Sequence, residues 1–197
     1  MAAKKVLIVA TSHEELGDTG EKTGLWMEEL AHPYFVFKSH GLEVTLASLK
    51  GGEIPVDEAS LGAPFLTPEV EKFLLDDAAM GQVLESSPLS EVDWAAHDAI
   101  FLVTAFSDDE EYAVAKEKVV PFLLEARLKE LGGHYTKAKA NWGVHALLDA
   151  RAPFPLVTGQ NPASSRLTAE LVVEALGGHK AARPPADCEL ATGRAGA

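Results

Sequence analysis

The sequence predicts an α/β fold built on a mostly parallel sheet. Three observations lead there: a continuously apolar, β-branched run at the start of the chain, a helix and second strand directly after it, and proline-initiated helices alternating with further short apolar runs. The 197 residues, 47% hydrophobic, suffice for one core and favour one domain over residues 1–178.

The first strand is Lys4 to Ala10, where Val6-Leu7-Ile8-Val9-Ala10 follows a basic start and suits burial on both faces of a parallel sheet. Thr11 to Thr23 is polar and glycine-bearing, a loop leaving the carboxyl end of that strand. From Gly24 to His40, Trp26, Leu30, Tyr34 and Phe37 recur at helical spacing, with Pro33 expected to kink or interrupt the helix. Glu29 falls on the margin of this face and Glu28 points the other way. Gly41 stops the helix, and Glu43 to Ser48 reads as the second strand, completing a βαβ-like unit.

Lys50 to Gly62 reads as loop, and Thr67-Pro68 starts a helix with Thr as N-cap and Pro in the first position, fading near Met80. A third buried strand is expected at His97 to Thr104. The acidic stretch Asp108 to Glu111 leads to a second Pro-initiated helix, Pro121 to Leu131, with Leu124, Leu128 and Leu131 on one stripe and Gly132-Gly133 as its stop. Short strands follow near Tyr135 to Lys137 and Val144 to Asp149. Leu156-Val157-Thr158 runs into a helix capped by Asn161, started by Pro162 and ending near Leu176. Residues 179–197, rich in Ala, Pro, Gly and Arg without periodicity, are expected to be a disordered tail.

Composition excludes several classes of function. The net charge of −13 repels phosphate backbones and anionic membranes, so neither nucleic acid nor membrane is an expected partner. No apolar run reaches the roughly 20 residues of a membrane helix, no signal-peptide core follows Lys4-Lys5, and a cytoplasmic location is expected. A single cysteine, Cys188, rules out an intrachain disulfide framework and any multi-cysteine zinc site. The seven histidines show no metal-ligand pairing, and neither metal nor cofactor is expected.

Two local motifs fail on inspection. Gly17-Asp18-Thr19-Gly20-Glu21-Lys22-Thr23 lacks the glycine directly before Lys-Thr that a phosphate loop requires, and Glu21 would oppose the phosphates. Ser164-Ser165 sits in the first turn of the last helix, where hydroxyls bond the backbone, with no nucleophile elbow around it.

Several segments together are more specific. They are Lys5 to Ser12 with Leu16-Gly17-Asp18-Thr19-Gly20, Thr23-Gly24-Leu25-Trp26-Met27-Glu28-Glu29-Leu30, His32-Pro33-Tyr34, Val44 to Ser48, Val119 to Glu125, and Thr158-Gly159-Gln160-Asn161-Pro162-Ala163-Ser164-Ser165. Over about Lys4 to Leu176 the chain resembles the ThiJ/PfpI superfamily, also called class I glutamine amidotransferase-like, in its branch of heat-shock-type chaperones and glyoxalase III enzymes. The resemblance implies a Rossmann/flavodoxin-like three-layer sandwich, no cofactor, small α-oxoaldehydes such as methylglyoxal as substrates, D-lactate as product, and often a homodimer.

In that branch a cysteine on a tight elbow, followed by histidine, makes the attack, assisted by two acids. The resemblance matches Glu29 to the acid that contacts the thiol and Glu111 to the acid that supports the histidine. It also reveals a departure. After Ala99-Ile100-Phe101-Leu102 the family continues through a Gly-Gly-His-Gly turn, a helix and an Ala-Val-Cys-His elbow, whereas here Val103-Thr104-Ala105-Phe106-Ser107 follows at once. A smaller departure is the proline-bearing loop from Arg151 to Pro155. The expected fold is therefore truncated between 102 and 103 by loss of the central elbow strand, together with nucleophile, histidine and oxyanion donors.

Cys188, in Pro184-Pro185-Ala186-Asp187-Cys188, is on no strand-to-helix turn and is not expected to be reactive. Three readings stay open: an inactive family member, an active glyoxalase III-type lyase or deglycase whose sequence is incomplete at this seam, and a holdase or binding module for unfolded protein. Glu29 and Glu111 are read either as two solvated acids or as a pair whose repulsion raises one pKa.

Overall fold

The computed structural model describes residues 3–102, 106–149 and 155–178, and the chain divides into two compact units, Met1–Val103 and Thr104–Ala197. The seam at 102/103, most of the Arg151 to Pro155 loop, the 179–197 tail and Cys188 lie outside the described residues.

The first unit holds β1 (Lys5–Ala10), α1 (Met27–Ser39), β2 (Glu43–Ser48), α2 (Pro68–Leu74), α3 (Asp77–Leu84), β3 (Ser87–Pro88) and β4 (Ala99–Leu102). Its four strands are all parallel, in the order β3-β2-β1-β4. This is the α/β arrangement that the apolar run and the βαβ unit predict, and it is consistent with the flavodoxin-like fold that the resemblance implies. Register aligns Ile8 with Leu46 on one side and with Phe101 on the other. Val6, Leu7 and Ile8 are fully buried, so consecutive residues, which point to opposite faces, are both covered.

The α1 helix runs unbroken through Pro33, against the expected kink or interruption. Proline cannot donate to the Glu29 carbonyl, a loss of about 1 kcal/mol. Complete burial of Leu30 and Phe37, at roughly 2 to 3 kcal/mol each, outweighs it. The helix ends as the sequence requires: Gly41 takes φ +74° and the Leu42 amide donates to the Phe37 carbonyl at 3.0 Å. Thr67 caps α2 by accepting from the Val70 amide at 3.3 Å. The helix expected to fade near Met80 is instead two, because Asp76 accepts from the Ala78 and Ala79 amides and starts α3 anew.

The strand expected to be buried at His97 to Thr104 is β4, which among the described strands pairs with β1 alone. Only Phe101 is buried, packed edge-on against Phe37 at 5.5 Å, while Ile100 and Leu102 stand 49% and 65% exposed. Apolar composition alone does not distinguish a strand covered on both faces from one covered on a single face.

The second unit holds α4 (Asp108–Ala113), α5 (Leu124–Glu130), β5 (Ala146–Asp149), β6 (Leu156–Gly159) and α6 (Ser165–Ala175). The two strands pair antiparallel, and α6 packs Leu167 and Leu171 onto Ala146, Leu148 and Val157. Three expectations change here. Tyr135 to Lys137 forms no strand. Pro121 does not start α5, whose N-cap is Leu123. The leucine stripe is not a core face, with Leu128 and Leu131 exposed, and the residue that α5 buries is Glu125. Its carboxylate accepts from Lys129, Lys137 and the Asp108 amide, so polar pairing replaces apolar packing.

Candidate functional site

In the first unit, Glu29 lies in the first turn of α1 and is 7% exposed. The approach to that turn is tightly defined. The Leu25 amide donates to the Pro55 carbonyl at 2.7 Å, the Asp57 amide donates to the Leu25 carbonyl, and the Met27 amide donates to Ser60 Oγ at 3.1 Å. Gly24 is required by this contact: a Cβ there would sit 2.2 Å from the Pro55 oxygen. Neither composition nor periodicity discloses why a glycine precedes Leu25. The close strand-like approach of residues 55–56 does.

In the second unit, Glu111 lies in α4, beside Glu110. Ser107 caps this helix in a capping box, its hydroxyl accepting from the Glu110 amide while its own amide donates to Glu110 Oε2 at 3.0 Å. Glu110 Oε1 accepts from Asn161 Nδ2 at 2.7 Å and from the Trp142 amide at 2.8 Å. Asn161 also donates to the Gly143 carbonyl and caps the turn before α6 by accepting from the Ser164 amide at 3.1 Å. One buried carboxylate thus joins α4, the loop at residues 142–143 and the start of α6.

The two neighbouring acids are driven apart. Burial alone would raise the Glu110 pKa, but hydrogen bonds from Ser107, Asn161, Gln160 and Trp142 prevail and hold it below the usual carboxylate range. Glu111 is pushed up, by burial first and then by the charges of Asp108 and Glu110.

Around them lie His145, 7% exposed, whose pKa burial lowers, and whose Nε2 is 2.9 Å from Thr136 Oγ1. Burial and then the charge of Glu125 raise the Tyr135 phenol. Ser164 does helix-start duty as expected, its hydroxyl donating to Asn161 Oδ1 and accepting from the His145 amide. Sequence reasoning singled out Glu111 and missed Glu110, although Ser107-Asp108-Asp109-Glu110 carries the S-x-x-E capping-box signature. Among the described residues no three acidic, histidine or cysteine side chains gather as a metal site, and no helix is long and apolar enough to cross a membrane.

No protein-family model matches the chain. The Saccharomyces cerevisiae glutathione-independent glyoxalase HSP31 is 39% identical over 72 residues, which is 36% of this chain and 30% of the yeast protein's length. Rapid Encystment Protein 24 KDa (REP24) of Francisella tularensis superposes with a TM-score of 0.80 at 28% identity, covering 88% of this chain and 99% of that one. A further solved chain, 30% identical, superposes at 0.76 with 89% and 99% covered. Glyoxalase III from Candida albicans, 21% identical, shares the fold at 0.71 over 87% and 97%. These likenesses, two of them at 28% and 30% identity over nearly the whole length of solved structures, establish the family: the chain belongs to the ThiJ/PfpI superfamily.

Proposed function

We propose that this chain keeps the superfamily's scaffold and its acids but performs no cysteine chemistry. The observation that carries the reading is the position of its one cysteine: Cys188 follows α6, in an Ala-, Pro- and Gly-rich stretch, and no cysteine lies between β4 and α4. Chemistry of the glyoxalase III type needs a thiolate on a rigid turn, and neither a carboxylate nor a hydroxyl replaces its nucleophilicity at neutral pH. In this reading Glu29 and Glu111 are the retained acids, and Glu111, raised by burial and its acidic neighbours, is a better proton donor than the adjoining Glu110.

The test is direct. Incubated with methylglyoxal, the purified chain yields no D-lactate above the uncatalysed background, and Cys188→Ser behaves identically. D-lactate formation that Cys188→Ser abolishes overturns the reading.

A second reading has its own support: an active lyase acting on small α-oxoaldehydes, made from a transcript that retains an elbow segment between Leu102 and Val103. The exposed Ile100 and Leu102, on one face of β4, favour it, since apolar residues there are what the crossover helix of such a segment would cover. Sequencing the transcript across that junction distinguishes the two. An in-frame Ala-Val-Cys-His segment establishes the enzyme; a continuous Leu102-Val103 junction excludes it. The same exposed face supports a holdase role, which fails if the chain does not slow aggregation of an unfolded client.

A further inference from the structure

His32, on the second turn of α1, stands between two carboxylates. Its Nδ1 lies 3.7 Å from Glu28 Oε1 on the same helix, and its Nε2 lies 3.5 Å from Glu69 Oε2 on α2. The imidazole is 14% exposed and Glu28 18%, while Glu69 is 38% exposed at the rim. Nε2 is buried and without a hydrogen-bond partner as the ring stands.

A neutral imidazole carries one N–H and one lone pair, so whichever tautomer forms, a lone pair faces a carboxylate. Only the doubly protonated ring offers a donor to both. Of the other charged or titratable groups on these two helices, Lys72 of α2 lies against the Phe35 ring at 4.0 Å, and Tyr34 of α1 packs on Phe73 and senses Asp76.

We propose that His32 is a proton-operated clasp between α1 and α2: when protonated it draws Glu28 and Glu69 together through one ring, and when neutral it releases Glu69. The clasp closes on the turn adjoining Glu29, so it sets how firmly the start of α1 is held. It does not depend on the fate of the cysteine chemistry.

The experiment is a double-mutant cycle in the full chain, using His32→Gln and Glu69→Gln, read from urea midpoints at about pH 5.5 and about pH 8.5, on either side of ordinary histidine titration. The expected result is coupling of about threefold or more in the folding equilibrium at the lower pH and none at the higher, the size being limited by the partial exposure of Glu69. Equal coupling at both pH values, or none at either, overturns the clasp. Should His32→Gln fail to fold, Glu69→Gln alone decides. It must lose stability relative to the parent at the lower pH and match it at the higher, and a loss independent of pH refutes the proposal.

Discussion

Glu110 and Glu111 are adjacent in sequence and opposite in behaviour, because hydrogen-bond donors surround one and acidic neighbours flank the other. Replacing Glu110 with Ala would leave the Trp142 amide and one of the two Asn161 Nδ2 hydrogens without their acceptor and break the capping box, and should cost about 3 kcal/mol or more in chemical denaturation at neutral pH. The sign with pH follows from the direction of its shift. A depressed native pKa contributes stability above the unfolded value, lost as pH falls through the native one, so the penalty of the substitution should shrink in acid. Glu111 runs the other way. Its raised native pKa means that folding is penalised at pH values above the unfolded carboxylate range, so Glu111→Gln should raise the melting temperature at about pH 7 and lose that advantage below about pH 4.

At the scale of elements, the start of α1 depends on one close backbone approach. Gly24→Ala drives a Cβ into the Pro55 carbonyl, a contact between main chains that no side-chain rotation relieves, and should destabilise by about 2 to 3 kcal/mol in urea denaturation. Much of this level was legible beforehand. The bounds of β2, the Thr67 cap, Gly41 as stop and Asn161 as cap follow from local chemistry that tertiary contacts do not override. What was not legible depends on partners distant in sequence. Pro33 is tolerated because of what packs around it, the α5 leucines are exposed because Glu125 claims the inner face, and β4 reads as buried because apolar composition does not say which side of a sheet is an edge. Of the candidate acids, Glu29 and Glu111 were reached only by resemblance, and Glu110 escaped although its capping signature was local.

For the molecule as a whole, the two compact units divide between Val103 and Thr104, beside the junction where the sequence leads one to expect the loss of an elbow strand. The strand order is informative in the same way. β1 is bonded along both sides, to β2 and β4, whereas β4 pairs with β1 alone among the described strands. In a parallel ladder successive amides point to alternate sides, so every amide of β1 from Val6 to Val9 has a strand beside it and only every second one of β4 does. Deuterium uptake should therefore be uniformly slow along β1 and should alternate fast and slow from Ala99 to Leu102. A chain carrying an added strand at this margin should slow the fast amides as well, so the exchange clock of four residues reports whether the sheet ends there.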